Sequence, residues 1–425
     1  MLHFLFRQCN MQGLRTGNCR GKHRFVRKGF DSSADAAHSD RSDRFNTISK
    51  LRKLTVFFTV LLIFGFAGCF ICFAEDADYE YGTLYNNSGA DGLNDSLSDE
   101  ARSILSEFSI DASDPDSLAE INGFDILKKL IELSLKDIKS PISVLVSVSA
   151  MAVIFALVFQ SSPDPIGAKQ GAFSYILPAA CAVAVAASLA DVISKTAQSV
   201  SSCSVFMMSF IPAYAGLLIS CGKSATGGAY SSLMFAVSQV FCSVADKLMI
   251  PLCSCMMVSS IGAAFADICK RAADIIKKVS VTVLTFGMTV FTFMLGLQTS
   301  ISSASDTLGI KTAKTAMGTF IPIVGSSLGE SLSVILGSVS LLKCSVGVYS
   351  VICLAVMFVP TLTELIVWKA VLCILAAVMQ AVGAEKTEKL LSLSSGVLTV
   401  LMCILLCCAA SYIISVALTL SAGGG

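Results

Sequence analysis

Histidine is nearly missing from this chain. There are three, His3, His23 and His38, and all lie ahead of the first long apolar run. Beyond that run no imidazole remains for metal binding or proton shuttling, and Ser–His and Cys–His nucleophile pairs are excluded. Charge is scarce as well. Charged residues make up 14% of the chain against 54% apolar, with a mean hydropathy of +0.74, whereas a soluble domain carries about a quarter charged residues. Carboxylate or lysine chemistry stays open to such a chain, yet no paired constellation stands out, and we expect neither an enzyme nor a cofactor.

Cysteine is missing from one place. The chain has 17, but none falls between residues 75 and 139, so no disulfide framework staples that segment. Most of the others, including Cys181, Cys242, Cys353, Cys373, Cys403, Cys407 and Cys408, sit in apolar runs, where a thiol behaves as a small hydrophobe. Cys253 and Cys255 form a C-x-C, too close for the usual zinc spacing and without histidine partners. No metal is expected.

What is present is hydrophobic sequence in long uncharged runs, and it predicts an all-α, polytopic membrane protein with broken or re-entrant helices. The net charge of +1 hides a segregated distribution: residues 1–53 hold twelve Lys/Arg against four Asp, and residues 75–139 hold sixteen Asp/Glu against five Lys/Arg. Residues 1–53 read as a disordered basic extension. For 1–49 two explanations compete, a long cytoplasmic n-region or a start codon placed too far upstream; neither implies nucleic-acid binding. Residues 54–74 read as a secretory signal with small residues before a cut at Glu75, an uncleaved anchor being the alternative. Either way 75–139 goes outside as an acidic extracytoplasmic segment. It offers a short helix opened by Ser98, with Ala101, Ile104, Leu105 and Phe108 on one face. A second amphipathic helix, 124–138, has Leu127, Leu130, Ile131 and Ile138 on its apolar side and is expected in the headgroup plane.

Residues 140–425 form the membrane domain. Spans are predicted at 141–160, 172–190, 203–221, 230–245, 248–266, 279–297, 345–360, 366–382 and 394–420. Five crossings from an exterior ectodomain bring residues 267–278, with Lys270, Arg271, Lys277 and Lys278, to the cytoplasm, as the positive-inside tendency requires. Asp246 and Lys247 interrupt an apolar stretch and read as a loop between two spans, or else as part of a polar pathway; Glu364 after Pro360-Thr361 is a further charge at membrane depth, where each costs about 2.5–3.5 kcal/mol. Phe210-Ile211-Pro212 and Phe320-Ile321-Pro322 suggest a pair of inverted, broken-helix repeats. Gly216 to Ser224 nearly spells a phosphate-binding loop, but its spacing is one residue too long and it ends an apolar span.

The most distinctive wording lies in residues 300–347. Lys311 and Lys314 stand one helical turn apart, a proline break follows at Phe320-Ile321-Pro322, and then Leu328, Leu332, Ile335, Val339 and Leu342 recur at helical spacing. Gly325, Gly329, Gly337 and several serines fill the positions between, which lets helix backbones approach closely. Glu330 is the one charge there. Lys311, Lys314, Phe320, Pro322, Gly325, Gly329, Glu330 and Gly337, with Asp246 and Lys247, are the candidate packing or pathway residues.

IKTAKxxxGxFIPxVG, the serine- and glycine-rich helix after it, and LLKxxxG resemble the stage III sporulation protein AE family of endospore-forming bacteria. The likeness in layout covers about residues 54–420. It implies a multi-pass protein of the mother-cell membrane that surrounds the forespore. It also implies membership of a channel- or secretion-like complex that sustains late forespore development. The implied partners are the other membrane and ring-forming proteins of that complex, with the lipid bilayer and no nucleic acid. An ion-coupled secondary transporter with inverted repeats is the alternative.

Overall fold

The structure, a computed structural model, describes Tyr85, residues 90–108, Ile110, and residues 123–135, 139–160, 168–220, 226–320 and 325–421. The basic extension and the signal run lie outside the described residues, as do Ile138 and Pro322. Among the described residues every regular element is helical. After a single 3-10 turn at Ala90–Leu93 come α1 (Asp99–Glu107), α2 (Gly123–Leu135), α3 (Lys139–Gln160), α4 (Ala168–Ser220) and α5 (Thr226–Val244). A π-turn, Ala245–Met249, joins α5 to α6 (Ile250–Gly262), followed by α7 (Asp267–Phe320), α8 (Gly325–Val382) and α9 (Glu385–Ser421). Six stretches are long and apolar enough to cross a membrane: Lys139–Leu157, Tyr175–Tyr214, Phe235–Gly262, Asp267–Met294, Cys344–Val382 and Glu385–Ala417.

The predicted divisions between spans are therefore corrected. Runs 172–190 and 203–221 belong to one helix, α4, which passes straight through Pro212. Runs 345–360 and 366–382 belong to α8, which passes through Pro360. Asp246 and Lys247 lie in the π-turn between α5 and α6, not in a loop. Residues 267–278 are the opening turns of α7, and the link before them is only Ala263 to Ala266. Pro212 lies inside α4, whereas Phe320 is the last described residue of α7 and Ile321 and Pro322 lie outside the described residues, as does the comparison of the two Phe-Ile-Pro sequences.

One end of the bundle is basic. Tyr175 stacks on Phe265 with centroids 6.2 Å apart, and the Lys386 ammonium lies 3.3 Å over the Tyr175 ring. The apolar start of α4, the α6–α7 link and the start of α9 meet there, together with Lys270, Arg271, Lys278 and Lys389. Gly383 turns the chain from α8 into α9 with φ +79°, and its amide and that of Ala384 donate to the carbonyls of Gln380 and Met379, a left-handed cap that a side chain would strain. From the α1–α2 side the chain reaches this end after three crossings, α3, α4 and α5–α6, where the predicted spans count five. Both numbers are odd, so the basic residues keep the predicted side.

α9 is the axis. It packs against α4, α5, α6, α7 and α8, and none of its described large apolar side chains is exposed, while α3, α4, α5, α7 and α8 present two or more outward and α6 presents Val258. Those outward residues, among them Val153, Val183, Val258, Phe286 and Ile374, face the lipid.

Helices α1 and α2 are part of this bundle. Ser98 caps α1, its Oγ accepting from the Ala101 amide at 3.3 Å, and Ala101, Ile104 and Leu105 are buried as expected. α1 and α2 both pack on α8. In α2 the buried residues are Ile126 and Leu130, whereas Ile131 is exposed. Its apolar face is thus turned from the expected one and rests on protein instead of lying among headgroups. Lys129 pairs with Glu107 at 3.3 Å and sits 4.4 Å above the Phe108 ring, tying α2 to the end of α1. Asn94 accepts a hydrogen bond from the Tyr349 hydroxyl of α8. Ser98→Ala is expected to weaken α1 by about 1 kcal/mol, seen as about fivefold faster amide exchange over its first turn.

Candidate functional site

Apolar α4 changes character after Leu189. Asp191, Lys195, Gln198, Ser199 and Ser202 recur at three- and four-residue steps and so share one face. α8 runs antiparallel beside it and offers Pro360, Thr361 and Glu364. The two faces meet in register: the Lys195 ammonium donates to Glu364 Oε1 at 3.0 Å, Asp191 lies 3.4 Å from the same ammonium, and the Ser199 and Thr361 hydroxyls are hydrogen-bonded at 2.5 Å. Pro360 has no N–H for the Val356 carbonyl one turn earlier, while Thr363 Oγ1 bonds back to the Val359 carbonyl at 2.9 Å.

A cleft of about 670 Å³ opens beside this pair, walled by Lys195, Ser199, Val356 and Glu364 from α4 and α8 and by Glu100 and Leu130 from α1 and α2. Lys195 and Glu364 are partly solvated, with 47% and 27% of their side chains exposed, so the ion pair works at a water-facing boundary. On the far side of α4 lies a second polar contact: Gln239 Nε2 donates to Ser204 Oγ at 2.5 Å, the Tyr412 hydroxyl donates to Gln239 Oε1 at 2.9 Å, and the buried Ser238 and Ser415 are bonded at 2.8 Å. These contacts lock α4, α5 and α9 together.

Depth explains why charge gathers here. Lys195 lies about 30 Å along α4 from Tyr175 at the basic end. Glu364 is about 28 Å up α8 from the Gly383 turn, and Asp246 about 25 Å up α6 from its link to α7. The hydrocarbon core is about 30 Å thick. The charged interruptions on three helices therefore sit at one level along the bundle. Above it α4, α5, α7, α8 and α9 continue, with α1 and α2 packed on α8.

The predicted site residues are only partly assembled. Asp246 is half-buried and Lys247 exposed in the π-turn at this level. Lys311, Lys314 and Phe320 fall on the backbone of α7, and Gly325, Gly329, Glu330 and Gly337 on that of α8; their side chains, like Pro322 entirely, lie outside the described residues. Lys195, Ser199, Thr361 and Gln239 are not among the predicted residues. The i, i+4 pair Asp191/Lys195 was the legible signal for the first of them. Among the described residues no group of three or more His, Cys, Asp or Glu could hold a metal ion. The site can anchor a helix pair and offer a polar, predominantly acidic wall to an ion or solute.

The family model for stage III sporulation protein AE matches residues 117–423. The chain belongs to that family. The match takes in α2 to α9, hence Lys195, Ser199, Thr361 and Glu364, while the α1 wall of the cleft precedes it. No curated protein and no solved structure matches the chain. Family and fold together describe a multi-pass membrane protein of stage III sporulation.

Proposed function

We propose that the chain is an integral, non-enzymatic subunit of the channel- or secretion-like complex that joins mother cell and forespore, seated in the mother-cell membrane around the forespore. The observation that supports this reading is the packing of α1 and α2 on α8 above the charged level. With that end outside the membrane, the clasp offers ring-forming partners a docking surface. The Lys195–Glu364 pair and the Ser199–Thr361 bond hold α4 to α8 at the charged level, and the cleft beside them gives a polar wall to whatever passes.

The test has two parts. A strain lacking the gene arrests after engulfment, and the tagged chain brings down the other membrane and ring-forming members of the complex from sporulating cells. A deletion strain that completes engulfed development normally would sink the proposal. Purified chain in liposomes is expected to show no coupled uptake; saturable, ion-driven solute uptake by the chain alone would replace the subunit reading with the ion-coupled carrier that the cleft also suits.

A further inference from the structure

A second charged place lies nearer the basic end and has no part in the cleft. Lys277 of α7 and Lys369 of α8 approach α9 from its two flanks. The Lys277 ammonium is 3.9 Å from where a Cβ on Gly396 would stand, so the missing side chain leaves room for it. One turn along α8 from Lys369, Cys373 touches Ser395 of α9 at 3.4 Å between Sγ and Oγ. Cys403, two turns beyond Gly396 on the same face of α9, lies within electrostatic reach of both ammonium groups. Ser392, Gly396 and Cys403 of α9 are half-exposed and line up at helical spacing as the floor between α7 and α8.

Both lysines are half-buried, and among the described residues neither joins an ion pair. Glu364, the acidic residue nearest Lys369 in the chain, is held by Lys195. Lys277 lies about 16 Å and Lys369 about 21 Å from their helix turns at the basic end, inside the thickness of the hydrocarbon core. Two like charges at that depth are costly unless an anion answers them. A hydroxyl adds to the case. Ser280, one turn from Lys277 on α7, is buried with no hydrogen-bond partner.

We propose that Lys277 and Lys369 together hold a phosphate-class anion in the crevice that α7 and α8 form over Gly396. Two ammonium groups on separate helices suit a compact, multiply charged oxyanion better than a single carboxylate. Anionic headgroups and soluble phosphate share this chemistry. The site stands apart from the proposed channel role and survives its failure.

The experiment uses the full chain purified into nanodiscs of zwitterionic lipid, with thermal unfolding as the readout. Inorganic phosphate is titrated in one arm, and phosphatidylglycerol replaces part of the lipid in the other. A saturable rise in the unfolding midpoint with phosphate assigns a free anion, and a rise only with phosphatidylglycerol assigns a lipid headgroup. In either case Lys277→Gln or Lys369→Gln weakens the effect about tenfold, the double variant abolishes it, and Gly396→Leu blocks it by filling the crevice with both charges in place. Lys278→Gln, exposed next door, leaves it unchanged, and paired Lys→Arg variants, which keep the charge, retain it and show that the fold tolerates change there. No rise in either arm, or a rise that the double Gln variant keeps, overturns the proposal.

Discussion

Trp368→Ala removes about 3 kcal/mol of folding free energy, the low end of the range for deleting a buried aromatic ring. This is the chain's single tryptophan, and it is 2% exposed. It stands on the α8 face formed by Leu365, Leu372, Leu375 and Met379, all fully buried, and α8 and α9 pack closely along their lengths. In water part of the loss would be hydrophobic transfer. In a bilayer the separated helices already have lipid against them, so that part shrinks and the remainder is lost dispersion and the cavity left behind. Trp368→Phe, which refills most of the space, costs about 1 kcal/mol. Unfolding of the purified protein in mixed micelles, followed by circular dichroism, measures both. A loss under about 1 kcal/mol for the alanine variant means that α8 does not meet α9 through this face.

Lys195→Glu comes next in size. It sets a third carboxylate beside Asp191 and Glu364, replacing attractions at 3.4 and 3.0 Å with repulsions. At an interfacial dielectric such close contacts amount to several kcal/mol; discounted for the partial solvation of all three side chains, a loss of about 2 kcal/mol is expected. The informative variant is the swap. Lys195→Glu with Glu364→Lys rebuilds the bridge in reverse and recovers at least half of the loss, whereas Glu364→Lys alone sets two ammonium groups together and is unstable too. A double-mutant cycle isolates the coupling from other effects of each change. Counts of heat-resistant spores from strains carrying the same four genotypes are expected to follow the stability order. Additive losses without recovery would show that these two side chains do not meet.

The helical membrane class was open to view in composition and run length, because lipid admits so few spanning structures. Finer topology was not, and for a physical reason. Asp191 to Lys195, Asp246-Lys247 and Pro360 to Glu364 look alike on paper whether the chain turns back or merely passes from lipid into water as an unbroken helix. Only the register of neighbouring helices, which places these charges at one depth, separates the two cases. The same holds for the cleft. Glu364 drew notice as a charge in apolar surroundings, but its partner Lys195 is remote in sequence and reaches it only through the antiparallel packing of α4 on α8. The turned face of α2 has a similar origin: Leu127 and Ile131 make as good an apolar stripe as Ile126 and Leu130, and contact with α8 chose between them.

The placement of α9 bears on how the protein is made. The helix against which the others lean follows all of them in synthesis, so α3 to α8 enter the membrane around an unfilled centre and stay loosely associated until it arrives. Completion, not initiation, then governs assembly. Chains interrupted before Glu385 leave hollow intermediates fit for quality-control proteolysis.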